Sequence, residues 1–141
     1  MDGNTELWIR KLEQAAKGTF WELLGCSLVA LDPEKAVIAI TADARHMNHL
    51  GMLHGGVHAS LLDQAMGIAA MAARPDDRVV TSGMNVHFLT PLGAGTITAT
   101  AELLHQSHRT ITVFAKIEDS GGTLGSWGSG SFRVLPERAS P

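Results

Sequence analysis

The 141-residue sequence contains a single cysteine, Cys26. That excludes an intrachain disulfide framework and suits a reducing compartment. On its own, Cys26 reads as a small buried hydrophobe. Long apolar runs are also missing. The longest, residues 65–73, is interrupted by Gly67 and is far too short to span a bilayer. No basic stripe is visible and the net charge is -3, which argues against a general nucleic-acid binder. Residues 1–14 carry Asp2, Glu6 and Glu13 with no long apolar run, so they do not read as a signal peptide. Repeats and low-complexity tracts are absent. Charged residues make up only 18% against 45% hydrophobic, which points to a globular chain with some surface buried in an oligomer. The expectation is one domain over residues 1–141, located in the cytoplasm.

What is present alternates helix and strand. Leu7, Ile9, Leu12 and Ala16 fall mostly on one side of a helix over about residues 5–17, which Gly18 stops. Residues 20–24 add a further turn before Gly25. Residues 26–31 and 36–42 read as strands joined by the turn Asp32-Pro33-Glu34-Lys35. A polar, glycine-bearing loop over residues 43–56 leads into a long helix over about residues 57–73. Its apolar residues go all the way round, which predicts an enclosed helix. Arg74-Pro75-Asp76-Asp77 ends it. Four strands are predicted beyond, over residues 79–89, 95–106, 110–119 and 123–135. Their short connections imply antiparallel neighbours. Residues 136–141 read as a frayed tail. The fold class is α+β, with about six antiparallel strands wrapped around one long central helix.

Chemistry concentrates at residues 48–63. Asp63 lies in a stretch otherwise almost free of charge, and a carboxylate is expensive to bury there unless it is paired or used. The diglycine Gly55-Gly56 bares backbone N–H groups just where the helix dipole is positive. Such a terminus can hold an oxygen that is gaining negative charge. An electrophile-polarising site and a candidate base or nucleophile thus share one segment, which points towards hydrolysis of an activated acyl group.

The order of elements and the motif Asn48-x5-His54-Gly55-Gly56-x6-Asp63 resemble the hotdog-fold acyl-CoA thioesterases. The branch is the PaaI-like group of the 4-hydroxybenzoyl-CoA thioesterase superfamily. A second segment, Met84-Asn85-Val86-His87-Phe88-Leu89-Thr90-Pro91 and then residues 93–100, is similar to the family's strand, Phe-Leu-x-Pro, Gly, strand passage. The resemblance implies a sheet curved around the central helix and a homodimer whose sheets join edge to edge, often paired again as a homotetramer. It also implies a thioester carbonyl at the N-terminus of one subunit's helix and an acidic residue from the partner. Spacing independently favours a shared site. Asp63 lies roughly 10 Å along the axis from the first N–H groups of a helix starting near Val57, so it cannot readily reach a carbonyl held there.

On this resemblance Asp63 is the catalytic carboxylate, activating water or attacking the carbonyl to give an anhydride. Gly55 donates its backbone N–H to the oxyanion, with Gly56 beside it. Asn48 touches the carbonyl or the attacking water, although alone it would read as a turn residue. His54 completes the catalytic set by buttressing the loop and helping to bind the substrate, a supporting role favoured over direct proton transfer. Thr81, or Ser82 next to it, supplies a hydroxyl near the water, against the simpler reading of ordinary strand residues. Arg109 is the candidate for the phosphates of coenzyme A, with His108, Arg45 and Arg78 behind it. Met47, Leu50, Met52, Leu53 and Phe88 are candidates for the acyl pocket, although each is also a plausible core residue. The pairs His46-x2-His49 and His54-x3-His58 have ligand-like spacing, but there is no HExxH and no cysteine cluster, so no metal is expected. No cofactor is expected. Two rivals stand beside acyl-CoA hydrolysis: a hotdog hydratase or dehydratase, and a non-catalytic acyl-CoA-binding module.

Overall fold

The computed structural model describes residues 3–136. The elements run α1 (Gly3–Ala15), α2 (Phe20–Leu24), β1 (Ser27–Leu31), β2 (Lys35–Ala42), α3 (Gly55–Ala73), β3 (Val79–Phe88), β4 (Gly95–Gln106), β5 (Thr110–Asp119) and β6 (Leu124–Val134). A single 3-10 turn, Ala44–His46, interrupts the loop before α3. The predicted frayed tail falls, apart from Pro136, outside the described residues.

The six strands form one antiparallel sheet in the order β1-β2-β4-β5-β6-β3. It packs its inner face on α3, which touches every strand from β2 to β6. Alternation explains which side chains face inward. Ile38 and Ile40 of β2, Ile97 and Ala99 of β4, and Ile111, Val113 and Ile117 of β5 are all buried. Leu61, Leu62, Met66 and Ile68 of α3 meet them at 2% exposure or less. Each such side chain contributes about 1.5–3 kcal/mol by leaving water. Along β6, Gly128 and Gly130 face the helix. An added methyl carbon would stand 3.4 Å from Leu62 Cδ1 at Gly128, and 3.1 Å from Met66 Cε at Gly130. Their bareness lets the helix approach the sheet closely.

One expectation is corrected. The short link between β3 and β4 does not make them neighbours: β3 is an edge strand paired with β6, and β4 lies between β2 and β5. The physical reason is reach. Three strand spacings are only about 14 Å across, and the six residues between Phe88 and Gly95 can span about 20 Å when extended. The crossing chain is pinned on the way, with the Leu89 and Thr90 N–H groups donating to Gly125 O and Leu92 buried. The links from β4 to β5 and from β5 to β6 do join antiparallel neighbours.

A bulge in β3 sets which of its side chains face the helix. Thr81 pairs with Phe132 and Gly83 with Ser131, which leaves Ser82 as the extra residue. Without it, Thr81 and the set Met84, Val86 and Phe88 would face opposite sides of the sheet. With it, Thr81 reaches α3 and Phe88 reaches the helix N-terminus.

Candidate active site

The helix α3 begins two residues earlier than its apolar pattern suggests, with Gly55 and Gly56 as its first residues and His54 as the N-cap. His54 Nδ1 accepts from the Gly56 N–H at 2.8 Å, and the His54 N–H donates to His46 O at 2.9 Å. The Gly56 donor is therefore already satisfied. The Gly55 N–H lies at the helix end, where no preceding turn supplies an acceptor, and it has no partner among the described residues.

Ahead of this terminus, the loop is organised by Asn48. Its Oδ1 accepts from the N–H groups of Leu50 at 2.9 Å and Met52 at 3.1 Å. Those two donors identify the oxygen and leave Asn48 Nδ2 as a donor without a partner among the described residues. The loop is tied down by buried His46, whose Nδ1 accepts from the Asp43 N–H and whose Nε2 donates to Leu24 O at 2.8 Å. Both ring nitrogens of His46 are thereby spent on backbone groups. Exposed Asp43 is also held by Arg45, whose guanidinium lowers the carboxyl below its ordinary range.

Asn48 and Gly55 open onto one cleft of about 290 Å³, with Met52, Leu53, His58 and Phe88 among its lining residues. Of the five apolar candidates, Met52, Leu53 and Phe88 line it. Met47 instead packs partly buried against the core, and Leu50 is 66% exposed away from the cleft.

Asp63 is not in this cleft. It lies eight residues beyond Gly55, about 12 Å along the helix axis, half-buried, with its Oδ1 accepting from the Thr81 hydroxyl at 2.8 Å. Ser82 points elsewhere, its hydroxyl donating to Ser131 O at 2.9 Å. Arg109 is also remote. It lines a cleft of about 440 Å³ with Arg74, His108 and Arg133. Arg74 caps the C-terminal end of α3, so this basic cleft lies one helix length, about 28 Å, from Gly55 in the same chain.

His58 is a cleft residue that its spacing to His54 did not reveal. It is 3% exposed, its Nδ1 lies 2.7 Å from the hydroxyl of fully buried Ser126, and burial lowers its basicity. The Phe88 ring is perpendicular to it with centroids 5.6 Å apart. The available signal was its position three residues after Gly55, which puts both on one helix face.

This geometry has a family. Residues 50–126, more than half of the chain, match the Thioesterase superfamily. The chain belongs to that superfamily. The 1,4-dihydroxy-2-naphthoyl-CoA hydrolase of Listeria monocytogenes is 34% identical, covering 70% of this chain and 80% of that protein. Acyl-coenzyme A thioesterase 13 of Mus musculus is 33% identical, over 70% of each chain. The PaaI protein of Escherichia coli, from the phenylacetic acid degradation operon, superposes with a TM-score of 0.83 at 26% identity, covering 92% of this chain and 93% of that one. The thioesterase is a PaaI-like member with the hotdog fold, and its reaction class is thioester hydrolysis. No helix among the described residues is long and apolar enough to cross a membrane.

Proposed function

We propose that this thioesterase hydrolyses an acyl-CoA carrying an aryl or a short- to medium-chain acyl group, giving the free acid and coenzyme A. The observation that carries the proposal is the unpartnered Gly55 N–H, opening with Asn48 onto a cleft walled by Met52, Leu53 and Phe88. The carbonyl oxygen sits on the Gly55 N–H with Asn48 Nδ2 beside it. Removing one such oxyanion donor typically costs about 10²–10³ in rate. An aryl group draws support from the Listeria relative, whose name gives an aryl-CoA as its substrate.

The carboxylate is Asp63 of a second copy. The separation of about 12 Å along one helix supports this arrangement, as does the position of β3 at the sheet edge, free to meet another strand. Asp63 takes a proton from water as the water oxygen bonds to the carbonyl carbon. The carbonyl electron pair moves onto the oxygen held by Gly55. Its return breaks the C–S bond, and the coenzyme A thiolate leaves and is protonated. Direct attack by the carboxylate, through an anhydride, is the other route open to the same residues. Thr81 holds Asp63 in place. The proposal includes at least a homodimer, with a homotetramer built from it. It places Arg109 near the coenzyme A phosphates of a substrate bound by a neighbouring copy, and the protein itself in the cytoplasm, as the lone thiol of Cys26 favours.

The test is thiol release from phenylacetyl-, benzoyl-, hydroxybenzoyl-, hexanoyl- and palmitoyl-CoA by wild type and Asp63→Ala. Release by wild type and none by the variant supports the proposal. Equal release by both removes Asp63 from it. Tight binding without release favours a binding module, and an enoyl product favours a hydratase or dehydratase.

A further inference from the structure

We infer that His58 is a second side-chain donor of the site: neutral, with its proton on Nε2, and aimed at the same carbonyl oxygen as Gly55. The inference rests on the proposed carbonyl position. His58 lies outside the motif Asn48-x5-His54-Gly55-Gly56-x6-Asp63, and its place in the site is read from the packing of this chain.

Hydrogen-bond accounting sets the tautomer. Ser126 is 0% exposed, and the only partner of its hydroxyl among the described residues is His58 Nδ1 at 2.7 Å. If Nδ1 carried the proton, the Ser126 proton would be buried without an acceptor, at the full desolvation penalty of that group. If Ser126 donates to Nδ1, both buried atoms are satisfied and the ring proton sits on Nε2. Nε2 has no partner among the described residues, yet no buried side-chain nitrogen or oxygen there lacks one. Nε2 is therefore reached from outside, and the cleft beside Gly55 is the opening that His58 lines.

Direction comes from the helix. Gly55 and His58 are three residues apart on one face, and helical side chains lean towards the N-terminus. Phe88 lies against both: its ring carbons stand 3.5 and 3.6 Å from where a Gly55 methyl carbon would be, and its ring is perpendicular to the imidazole with centroids 5.6 Å apart. The two donors thus flank one small space. Burial and the positive end of α3 both disfavour an imidazolium, so the ring donates as a neutral group near pH 7. Ser126, acting through the ring, is a positioning residue.

The experiment combines nitrogen NMR on ¹⁵N-histidine-labelled protein with kinetics. Wild-type His58 is expected in the Nε2–H tautomer, and Ser126→Ala is expected to show a mixture. A non-hydrolysable ketone analogue of acyl-CoA should shift both the His58 Nε2 signal and the Gly55 amide. With substrate, His58→Leu should lose about 10²-fold in kcat with little change in KM and by a similar factor for every acyl group. His58→Gln, which keeps a donor at similar reach, should recover part of that loss, and Ser126→Ala should fall between wild type and His58→Leu. Circular dichroism confirms that each variant folds. A proton on Nδ1 in wild type, or wild-type kcat in folded His58→Leu, overturns the inference. A Gly55 amide that shifts while His58 stays still also overturns it and leaves the carbonyl site standing. If neither shifts, the carbonyl position itself is wrong and both proposals fall.

Discussion

The Thr81 hydroxyl donates to Asp63 Oδ1 at 2.8 Å, joining the edge strand β3 to the third turn of α3. The contact exists because the Ser82 bulge turns Thr81 inward. It fixes a carboxylate that faces no group of its own cleft. Thr81→Val should therefore lower kcat by about tenfold, the scale of one hydrogen bond to a charged group, and Thr81→Ser should restore most of it. Steady-state kinetics on any hydrolysed thioester decides this. An unchanged kcat in Thr81→Val means that Asp63 needs no such support.

Gly55→Pro removes the donor without breaking the helix. Proline suits the first helical position, and His54, at φ -61 and ψ 137, already has the extended backbone that a residue before proline prefers. We expect native circular dichroism and a rate loss of about 10²–10³. A folded variant with full activity would show that the Gly55 N–H holds no oxyanion.

Gly128→Ala should destabilise the fold by about 1–3 kcal/mol, the usual cost of overpacking. Its methyl carbon would stand 2.6 Å from the carbonyl oxygen of Asn85, a backbone atom that cannot simply swing aside. Urea denaturation reads the difference, and a variant as stable as wild type contradicts the close packing of β6 on β3.

The structural features were unevenly legible in sequence. The central helix and the spacing of Gly55 from Asp63 were plain, because helical rise converts residue number directly into distance. The edge position of β3 was not, because connector length sets only how far a chain can reach. The Ser82 bulge was hidden because one extra residue leaves composition unchanged while reversing the alternation. His58 was hidden because its place three residues after Gly55 gains meaning only once Ser126, 68 residues away, is set against it.

Burial of His58 also predicts a pH dependence. Its folded pKa lies below the ordinary value of 6.5, so just below pH 6.5 the unfolded chain binds more protons than the folded one. This contribution to stability is constant above pH 6.5 and is lost progressively as the pH falls below it. The urea midpoint of wild type minus that of His58→Gln should fall as the pH drops from 8 to 5. A gap independent of pH contradicts this.

Cys26 should stay silent in a thiol-release assay. Burial pushes its thiol up to about 12, so almost no thiolate exists near neutral pH. A disulfide dye should label the one thiol per chain far more slowly in the native protein than in denaturant. Rapid labelling of native protein would contradict the packing around Cys26.

The proposed shared site is tested most directly by mixing two variants that the proposal expects to be impaired, Asp63→Ala and Gly55→Pro, unfolded together and refolded. If Gly55 of one copy works with Asp63 of another, each mixed dimer regains one intact site. Random pairing in a symmetric dimer should then restore about a quarter of wild-type activity. If both residues act within one chain, every site in the mixture lacks one of them, and activity stays at the level of the separate variants.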